Sequence, residues 1–328
     1  MMPMPSRAFM LRISLLAVLL STSVLALAAP NDYVGQWVLK LGSRNYFVIN
    51  IHEDQGKLTG TLSRPSHSSI GASFSNISSD TITEPIVSSS LKAGVLSFVV
   101  QNPRKRDTDS YTLTTRNDVL KPGQALLQLV GVPIDPWILT RVPVSPQLAV
   151  ATDWDPHQMY LPGESDQPNA EMQRIFEEDQ KPRQSLALTK AEGANVYKHD
   201  AIRRAEVRHL LANGDLHTGK DFELAAFIFQ HGDTSDDYLL AHTLAMIAVA
   251  RGDPGALWIA TATLDRYLNS IQKPQIYGTQ FHVTKGTPWT QEPYNRDLIS
   301  DALRRDLGVP SLAAQQKQLE KYKTANQP

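Results

Sequence analysis

The hydrophobic pattern of this chain changes its period once, and that change limits the folds open to it. Between residues 32 and 142, apolar and polar side chains alternate, as at Phe47, Ile49 and Ile51. Such alternation is typical of β-strands with one buried face. After Asn169, apolar residues recur at the spacing of a helix. The pattern therefore predicts an α+β protein with two domains.

The first domain, residues 31–142, is predicted to be an antiparallel β-barrel or β-sandwich. About eight short strands fit into this stretch, separated by loops such as Glu53–Gly56, and this spacing is typical of both architectures. Strands with short connections pair most simply with their neighbours in the chain. The most economical arrangement is an up-and-down meander that closes on itself.

Residues 143–168 lose all periodicity and are rich in proline, so we interpret them as a linker. The second domain, residues 169–325, is predicted to be all-α, with antiparallel helices joined by short loops. Capping residues and apolar spacing predict that helices start at Asp221 (as an N-cap), Ser235 and Asp253–Pro254. Two further helices are predicted over residues 296–307 and residues 311–323.

The amino-terminal stretch, residues 1–28, has the pattern of a cleavable secretion signal. Arg7 and Arg12 precede an almost wholly apolar run, and Ala26–Leu27–Ala28 has the small residues of a cleavage site. We therefore expect a periplasmic or secreted protein with no membrane anchor left after cleavage. The chain has no cysteine, which excludes disulfides, thiol catalysis and a lipid anchor on cysteine.

The formal net charge of −1 gives no reason to expect nucleic acid or an anionic membrane as a partner. The expected partner is instead an unknown small molecule or a peptide. No pair of histidines, or of a histidine and an acid, has the spacing of a zinc site. The sequence therefore predicts neither a metal nor a cofactor.

Common catalytic motifs are missing from the sequence. HExxH, GxSxG, GxxxxGKS/T and GxGxxG do not occur. The string Ser89–Lys92 matches SxxK, but it lies in the strand-rich half, whereas that motif places its serine at the start of a buried helix. Sequence motifs therefore identify no reaction.

Two polar pairs early in the helical half are candidates for a functional site. Asp179 and Arg183 stand four residues apart and would pair on one helix face, most simply as an exposed ion pair. Gln230 and His231 follow an apolar helix, either as part of a site or as an ordinary helix end. Another histidine, His242, lies on an apolar helix face and is interpreted as a core residue.

Two further candidates follow along the chain. Asp265 and Arg266 end another apolar helix. Because adjacent helical residues point about 100° apart, these side chains cannot pair with each other, and burial would require a polar network. The segment Pro274–Gln280 combines two amides, a phenol and a hydroxyl. It suits either an ordinary loop or a loop that binds a polar ligand.

The four strings form an ordered set, DQxxR, AAxxxQH, DR and PQxYGTQ, at Asp179–Arg183, Ala225–His231, Asp265–Arg266 and Pro274–Gln280. With these motifs, about residues 170–310 resemble a bacterial helical domain family of unknown function. The resemblance implies a site but no reaction. In the other half, Gly35–Gln36–Trp37 is similar to the GxW opening of lipocalin-like barrels.

Three hypotheses follow from these residues. In the first, the protein is a hydrolase or transferase acting on a cell-envelope or peptide substrate, with His231, Asp265 and Asp179 as catalytic residues. His231 would be the general acid or base because the ordinary pKa of histidine suits neutral pH. The substrate would be bound by the remaining polar residues: Arg183, Gln230, Arg266, Gln275, Tyr277 and Gln280.

The second hypothesis is a non-catalytic periplasmic binding or interaction protein, whose barrel could also hold a small apolar ligand. It is favoured by the lack of a nucleophile beside a base. In the third, the polar residues only hold the helices together as a buried network. The sequence leaves all three open.

Overall fold

The structure is a computed structural model, and it describes residues 28–116, 119–184 and 190–325. The predicted secretion signal, residues 1–28, lies outside the described residues apart from Ala28. Described residues fall into a strand-rich first half and a helical second half. The predicted α+β class is thereby confirmed.

The first half is a closed antiparallel barrel of eight strands, with a two-stranded hairpin beside it. Each barrel strand pairs with the barrel strands that precede and follow it, and the first strand closes on the last. Of the two predicted architectures, the barrel is the one observed. The strands are β1 Gly35–Leu41, β2 Arg44–Asp54, β3 Lys57–Pro65, β4 Ser69–Ile70, β5 Phe74–Ser75, β6 Thr81–Lys92, β7 Val95–Gln101, β8 Thr108–Thr114, β9 Gln124–Leu129 and β10 Trp137–Val142, of which β4 and β5 form the hairpin.

The pairing of β2 with β3 shows how local sequence sets the register. Gln55 and Gly56 join the two strands with φ angles of 49° and 77°, and two positive φ angles are typical of the type I′ turn that matches strand twist. Gly60 in β3 has a φ of 151°, and a Cβ there would overlap the carbonyl oxygen of Asn50. Glycine is therefore required at this close approach of the two strands.

Aromatic side chains fill the inside of the barrel. Trp37, Phe47 and Phe98 are at most 2% exposed and belong to one apolar cluster. Phe47 packs against Trp137 with ring centroids 5.6 Å apart, and Phe98 stacks on Tyr111 at 5.5 Å. Burial of this apolar surface is the main source of stability for the barrel.

A buried ion pair lies among the barrel strands. Glu84 is 1% exposed, and Arg64 donates to both of its carboxylate oxygens, from Nε at 2.8 Å and from Nη2 at 2.9 Å. The bidentate geometry satisfies a carboxylate that has little contact with water. Asp109 also lies 3.5 Å from Arg64, but it is largely exposed.

Removing this buried carboxylate should destabilise the barrel. Glu84→Ala is expected to lower the free energy of unfolding by about 3 kcal/mol, because Arg64 loses its paired partner. Denaturant unfolding followed by circular dichroism measures the change. Glu53→Ala, at an exposed end of β2, is the control and should change stability by less than about 0.5 kcal/mol. Equal effects of the two substitutions would contradict the structural role of Glu84.

The proline-rich segment 143–168 packs between the two halves. Trp154 and Tyr160 are buried in the core cluster of the barrel, with ring centroids 5.2 Å apart. On its other side, the backbone N–H of Met159 donates to the carbonyl of Ala250 at 2.8 Å. The segment thus contacts both the barrel and the helical half.

The second half contains seven α-helices within the described residues: α1 Ala170–Arg183, α2 Lys190–Asn213, α3 Gly219–Phe229, α4 Ser235–Ala250, α5 Leu257–Ser270, α6 Asp301–Asp306 and α7 Leu312–Ala325. Helices α3, α4 and α5 follow one another through short connections. Their apolar faces meet in a core that includes Phe229, Leu244 and Ile259. The long connection from α5 to α6 carries the Pro274–Gln280 segment.

Two predicted helix boundaries are wrong. Helix α3 is capped by Thr218 rather than Asp221: the Thr218 hydroxyl accepts the N–H of Asp221 at 3.1 Å, and Asp221 accepts the N–H of Thr218 at 2.9 Å. This is a capping box, in which the acid is the third helical residue. The helix predicted over residues 296–307 spans only Asp301–Asp306, because Ser300 caps it.

Of the helices in the described stretches, none combines the length and the apolar character required for crossing a membrane.

Candidate functional site

Four charged side chains from α1 and α2 form an ion-pair cluster: Asp179, Arg183, Asp200 and Arg203. Oδ1 of Asp179 lies 2.9 Å from Nη1 of Arg183 and 3.1 Å from Nε of Arg203. Nη2 of Arg183 also lies 2.7 Å from Oδ1 of Asp200. Asp179 is only 1% exposed. The predicted Asp179–Arg183 pair is therefore present, but its expected exposure at the surface is wrong, since Asp200 and Arg203 cover it.

His231 lies beside this cluster, just after α3. Its Nε2 is buried and lies 3.6 Å from Oδ2 of Asp179, and it has no hydrogen-bond partner in the described part of the chain. Burial, followed by the charge of Arg183, lowers the pKa of His231 to about 3. The near-neutral pKa expected for this residue is not found, and the imidazole is neutral at pH 7. His231 and Asp179 are thus neighbours without being an ion pair at that pH. Gln230, also buried, caps the C-terminus of α3.

The lowered pKa gives the fold a predictable sensitivity to acid. An unfolded histidine takes up a proton below pH 6.5, whereas folded His231 resists protonation down to about pH 3. The contribution of His231 to stability is therefore complete above pH 6.5 and is lost as the pH falls towards 3. His231→Asn should reduce the loss of unfolding free energy between pH 7 and pH 4 by about 3 kcal/mol.

Urea unfolding at the two pH values measures this difference. The exposed histidine His209 in α2 provides the control, and His209→Asn should leave the pH profile of stability close to that of the unmodified protein. Identical profiles for His231→Asn and the unmodified protein would show that His231 does not titrate as described.

A second cluster forms around Asp265, which is fully buried near the end of α5. Its carboxylate accepts the backbone N–H groups of Ile276 at 2.8 Å, Tyr277 at 3.1 Å and Thr279 at 3.0 Å. It also accepts the Thr279 hydroxyl at 2.8 Å. These four hydrogen bonds occupy the carboxylate and hold the Pro274–Gln280 loop against the helix. Asp265 is thus the centre of a polar network, as was predicted for this residue if its side chain were buried.

The glutamines of this loop are also engaged within the protein. Gln275 is fully buried; its amide nitrogen donates to the carbonyls of Gln280 and Gln291, and its amide oxygen accepts the N–H of Gln280. The Gln280 side chain donates to the carbonyl of Ala262 at 3.1 Å. Tyr277 is half-buried, and burial raises the pKa of its phenol. Gln275 therefore has an evident structural role.

Gly278 allows the turn of this loop. Its φ is +81°, a conformation that favours glycine. A Cβ at this position would overlap the side chains of Gln315 and Tyr294. The loop therefore needs glycine both for its backbone conformation and for the space that these two side chains occupy.

Arg266 differs from the other charged candidates, because its side chain has no ion-pair or hydrogen-bond partner among the described residues. Its Nε is buried. Burial lowers the pKa of its guanidinium, yet arginine remains protonated in proteins. It lies in the wall of a cavity of about 670 Å³. The lining residues are Tyr238, Arg266, Asn269, Ser270, Gln272, Gln280, Phe281, His282 and Pro293.

The structure therefore distributes the nine predicted site residues over two clusters and one cavity. Asp179, Arg183 and His231 lie together in or beside the ion-pair cluster, while Asp265 and the Pro274–Gln280 loop form the second. Of the nine, Arg266 and Gln280 line the cavity. Arg266 also acts on the first cluster, since its charge contributes to lowering the pKa of His231.

The sequence interpretation missed several residues of these sites. Asp200 and Arg203 complete the ion-pair cluster, and Tyr238, Asn269 and Phe281 line the cavity with Arg266. Asn269 follows Arg266 by three residues in α5, so helical spacing could have placed the two side chains on one face. The others come from distant parts of the chain and carry no comparable signal.

The barrel offers a different kind of cleft. Its interior is filled by aromatic rings, as described above. A cleft of about 640 Å³ lies instead beside residues that include Val38 of β1, Ile138 of β10, and Pro133, Ile134 and Pro136 in the loop before β10. In the described part of the protein, no group of three or more histidine, cysteine or acidic residues is arranged to hold a metal ion.

Comparisons of the chain with protein-family models, with curated proteins and with solved structures returned no match. The resemblances drawn from short motifs therefore stay predictions.

Proposed function

We propose that this protein is an exported, non-catalytic binding protein whose helical half binds a carboxylate-bearing small molecule or peptide at Arg266. The observation that carries the proposal is the guanidinium of Arg266, which has no ion-pair partner among the described residues and lies in the wall of the 670 Å³ cavity. Arg266 is partly buried, and burying a charge is costly unless it is paired. An anionic ligand would supply the missing partner.

The cavity has the properties of a ligand site. Its volume of about 670 Å³ lies within the range of roughly 300–1,000 Å³ that is common for small-molecule pockets. Phe281 and Tyr238 give it aromatic surface beside the cation. A planar guanidinium matches a carboxylate with two parallel hydrogen bonds. The proposed ligand therefore combines a carboxylate with an apolar or aromatic body.

Binding is favoured over catalysis by the state of the candidate catalytic residues. The Asp265 carboxylate is occupied by four hydrogen bonds from the loop. A histidine with a pKa of about 3 is a weak base at neutral pH, where efficient general bases have a pKa near the working pH. A hydrolase or transferase at this site would need another base.

Paired ligands that differ only in charge test the proposal. The aromatic carboxylate 3-phenylpropanoate should bind the full chain, whereas its neutral amide should bind at least about tenfold more weakly. Arg266→Met should abolish this preference, because a charge-assisted hydrogen bond is lost. Isothermal titration calorimetry measures both affinities.

Arg305→Met is the matched control, since Arg305 is 76% exposed in its side chain and lies outside the cavity. It should bind the carboxylate as the unmodified protein does. If Arg266→Met folds normally and binds the carboxylate with unchanged affinity, Arg266 is not the anion site.

A further inference from the structure

Asn269 adds a second unpartnered group to the cavity that contains Arg266. Its Oδ1 is buried and accepts no hydrogen bond from residues 28–116, 119–184 or 190–325, and Asn269 lines the cavity. A buried amide oxygen without a donor costs about 1–3 kcal/mol. Like Nε of Arg266, this oxygen has no partner among the described residues.

The two groups stand on one face of α5. Residues three apart on a helix are neighbours, with Cβ atoms about 5–6 Å apart. The guanidinium requires an anion, and the amide oxygen requires a hydrogen-bond donor. A single ligand can satisfy both if its carboxylate and its donor are separated by only a few bonds.

Other polar side chains of the cavity wall are already engaged. The Tyr238 hydroxyl donates to the carbonyl of Gly232 at 2.8 Å, and the Ser270 hydroxyl donates to the carbonyl of Tyr267 at 2.7 Å. The amide nitrogen of Gln280 is likewise bonded within the protein. Arg266 and Asn269 are therefore the groups of this wall that most need a ligand.

The nature of the donor follows from the charge of the cavity. None of the residues that line it is acidic, so nothing there would balance the positive charge of an ammonium group next to Arg266. A neutral N–H suits the site better. In the carboxyl-terminal residue of a peptide, a neutral amide N–H and the free carboxylate are attached to the same carbon.

We infer that the cavity binds the carboxyl-terminal residue of a peptide, with the carboxylate on Arg266 and the amide N–H of that residue on Asn269. The side chain of the bound residue would lie against Phe281. This inference rests on the proposed function, because it assumes that Arg266 is the anion site. It adds the class of ligand and a second determinant of specificity.

Four probes test the inference by calorimetry on the full chain. N-acetyl-Ala-Phe has both the carboxylate and the N–H, and its C-terminal amide lacks the charge. The corresponding depsipeptide, with phenyllactate in place of phenylalanine, has the carboxylate but an ester oxygen instead of the N–H. Free phenylalanine has the carboxylate and a charged ammonium group.

N-acetyl-Ala-Phe should bind most tightly of the four. The C-terminal amide should bind at least about tenfold more weakly, and the depsipeptide about fivefold more weakly. Free phenylalanine should also bind more weakly than the peptide. In Asn269→Leu, the peptide and the depsipeptide should bind with equal affinity, while both remain stronger than the C-terminal amide.

Asn213→Leu, at an exposed position near the end of α2, is the control and should keep the preference for the peptide. If peptide and depsipeptide bind the unmodified protein equally, or if free phenylalanine binds as well as the peptide, the inference is overturned while carboxylate binding at Arg266 still stands. If a folded Arg266→Met variant binds both N-acetyl-Ala-Phe and 3-phenylpropanoate with unchanged affinity, the proposed function fails as well.

Discussion

Asp265→Ala should lower the free energy of unfolding by about 4 kcal/mol, the largest change in stability that we expect from one substitution. The carboxylate accepts three backbone N–H groups and one hydroxyl from the Pro274–Gln280 loop. Alanine would leave these donors buried without acceptors, and each would cost about 1–3 kcal/mol before water partly replaces the carboxylate. Denaturant unfolding monitored by circular dichroism measures the loss.

Two variants make the measurement specific. Asp265→Asn keeps one acceptor oxygen but brings an amide NH₂ towards the loop donors, so its stability should fall between those of the alanine variant and the unmodified protein. Asp297→Ala removes an exposed carboxylate from the same long connection and should have an effect below about 0.5 kcal/mol. An Asp265→Ala protein as stable as Asp297→Ala would refute the structural role of Asp265.

Asp179→Ala should lower the free energy of unfolding by about 3 kcal/mol, as large a loss as that expected for Glu84→Ala. Asp179 is buried and shares its Oδ1 between Arg183 and Arg203. Without it, two poorly hydrated guanidinium groups would depend on Asp200 alone. The pairing of α1 with α2 should therefore weaken, and unfolding should begin at lower denaturant concentration.

Glu177→Ala provides the matched control because Glu177 lies on the same helix and is exposed. Its removal should cost less than about 0.5 kcal/mol. If Asp179→Ala and Glu177→Ala unfold at the same denaturant concentration, the cluster does not hold the helices together. Thermal unfolding should rank the two variants in the same order.

Together with Arg266→Met, these variants separate the three hypotheses drawn from the sequence. A buried network predicts that Asp179→Ala and Asp265→Ala lose stability. A binding site predicts that Arg266→Met loses affinity for carboxylates and stays folded. Both outcomes together would mean that two polar clusters support the helices around a cavity that has a separate function.

The fold was largely predictable because its main patterns are local. The strand-rich first half was predicted because alternation with a period of two can be read within six or seven residues, the lengths of strands such as β10 and β7. Helix α4 likewise begins at the predicted Ser235. The prediction was less accurate at helix ends, where Thr218 and Ser300 compete with nearby residues as caps.

The candidate site was only partly predictable. The pairing of Asp179 with Arg183 follows from their spacing on one helix, whereas their burial depends on Arg203, which belongs to another helix. The partners of Asp265 lie 11 to 14 residues further along the chain. No periodic pattern connects residues across such a distance.

The period of the hydrophobic pattern, together with cap and turn residues, was enough to establish a barrel-compatible first half and a helical second half. These features depend on interactions between residues that are close in the chain. The sequence also singled out Arg266 as a polar residue ending an apolar helix. Only the tertiary structure distinguished Arg266 from Asp265, its neighbour. Packing occupies the Asp265 carboxylate with loop donors, whereas the Arg266 guanidinium lies beside a cavity with no ion-pair partner among the residues that the structure describes. That difference arises from contacts among distant segments, which decide where a buried charge finds a partner.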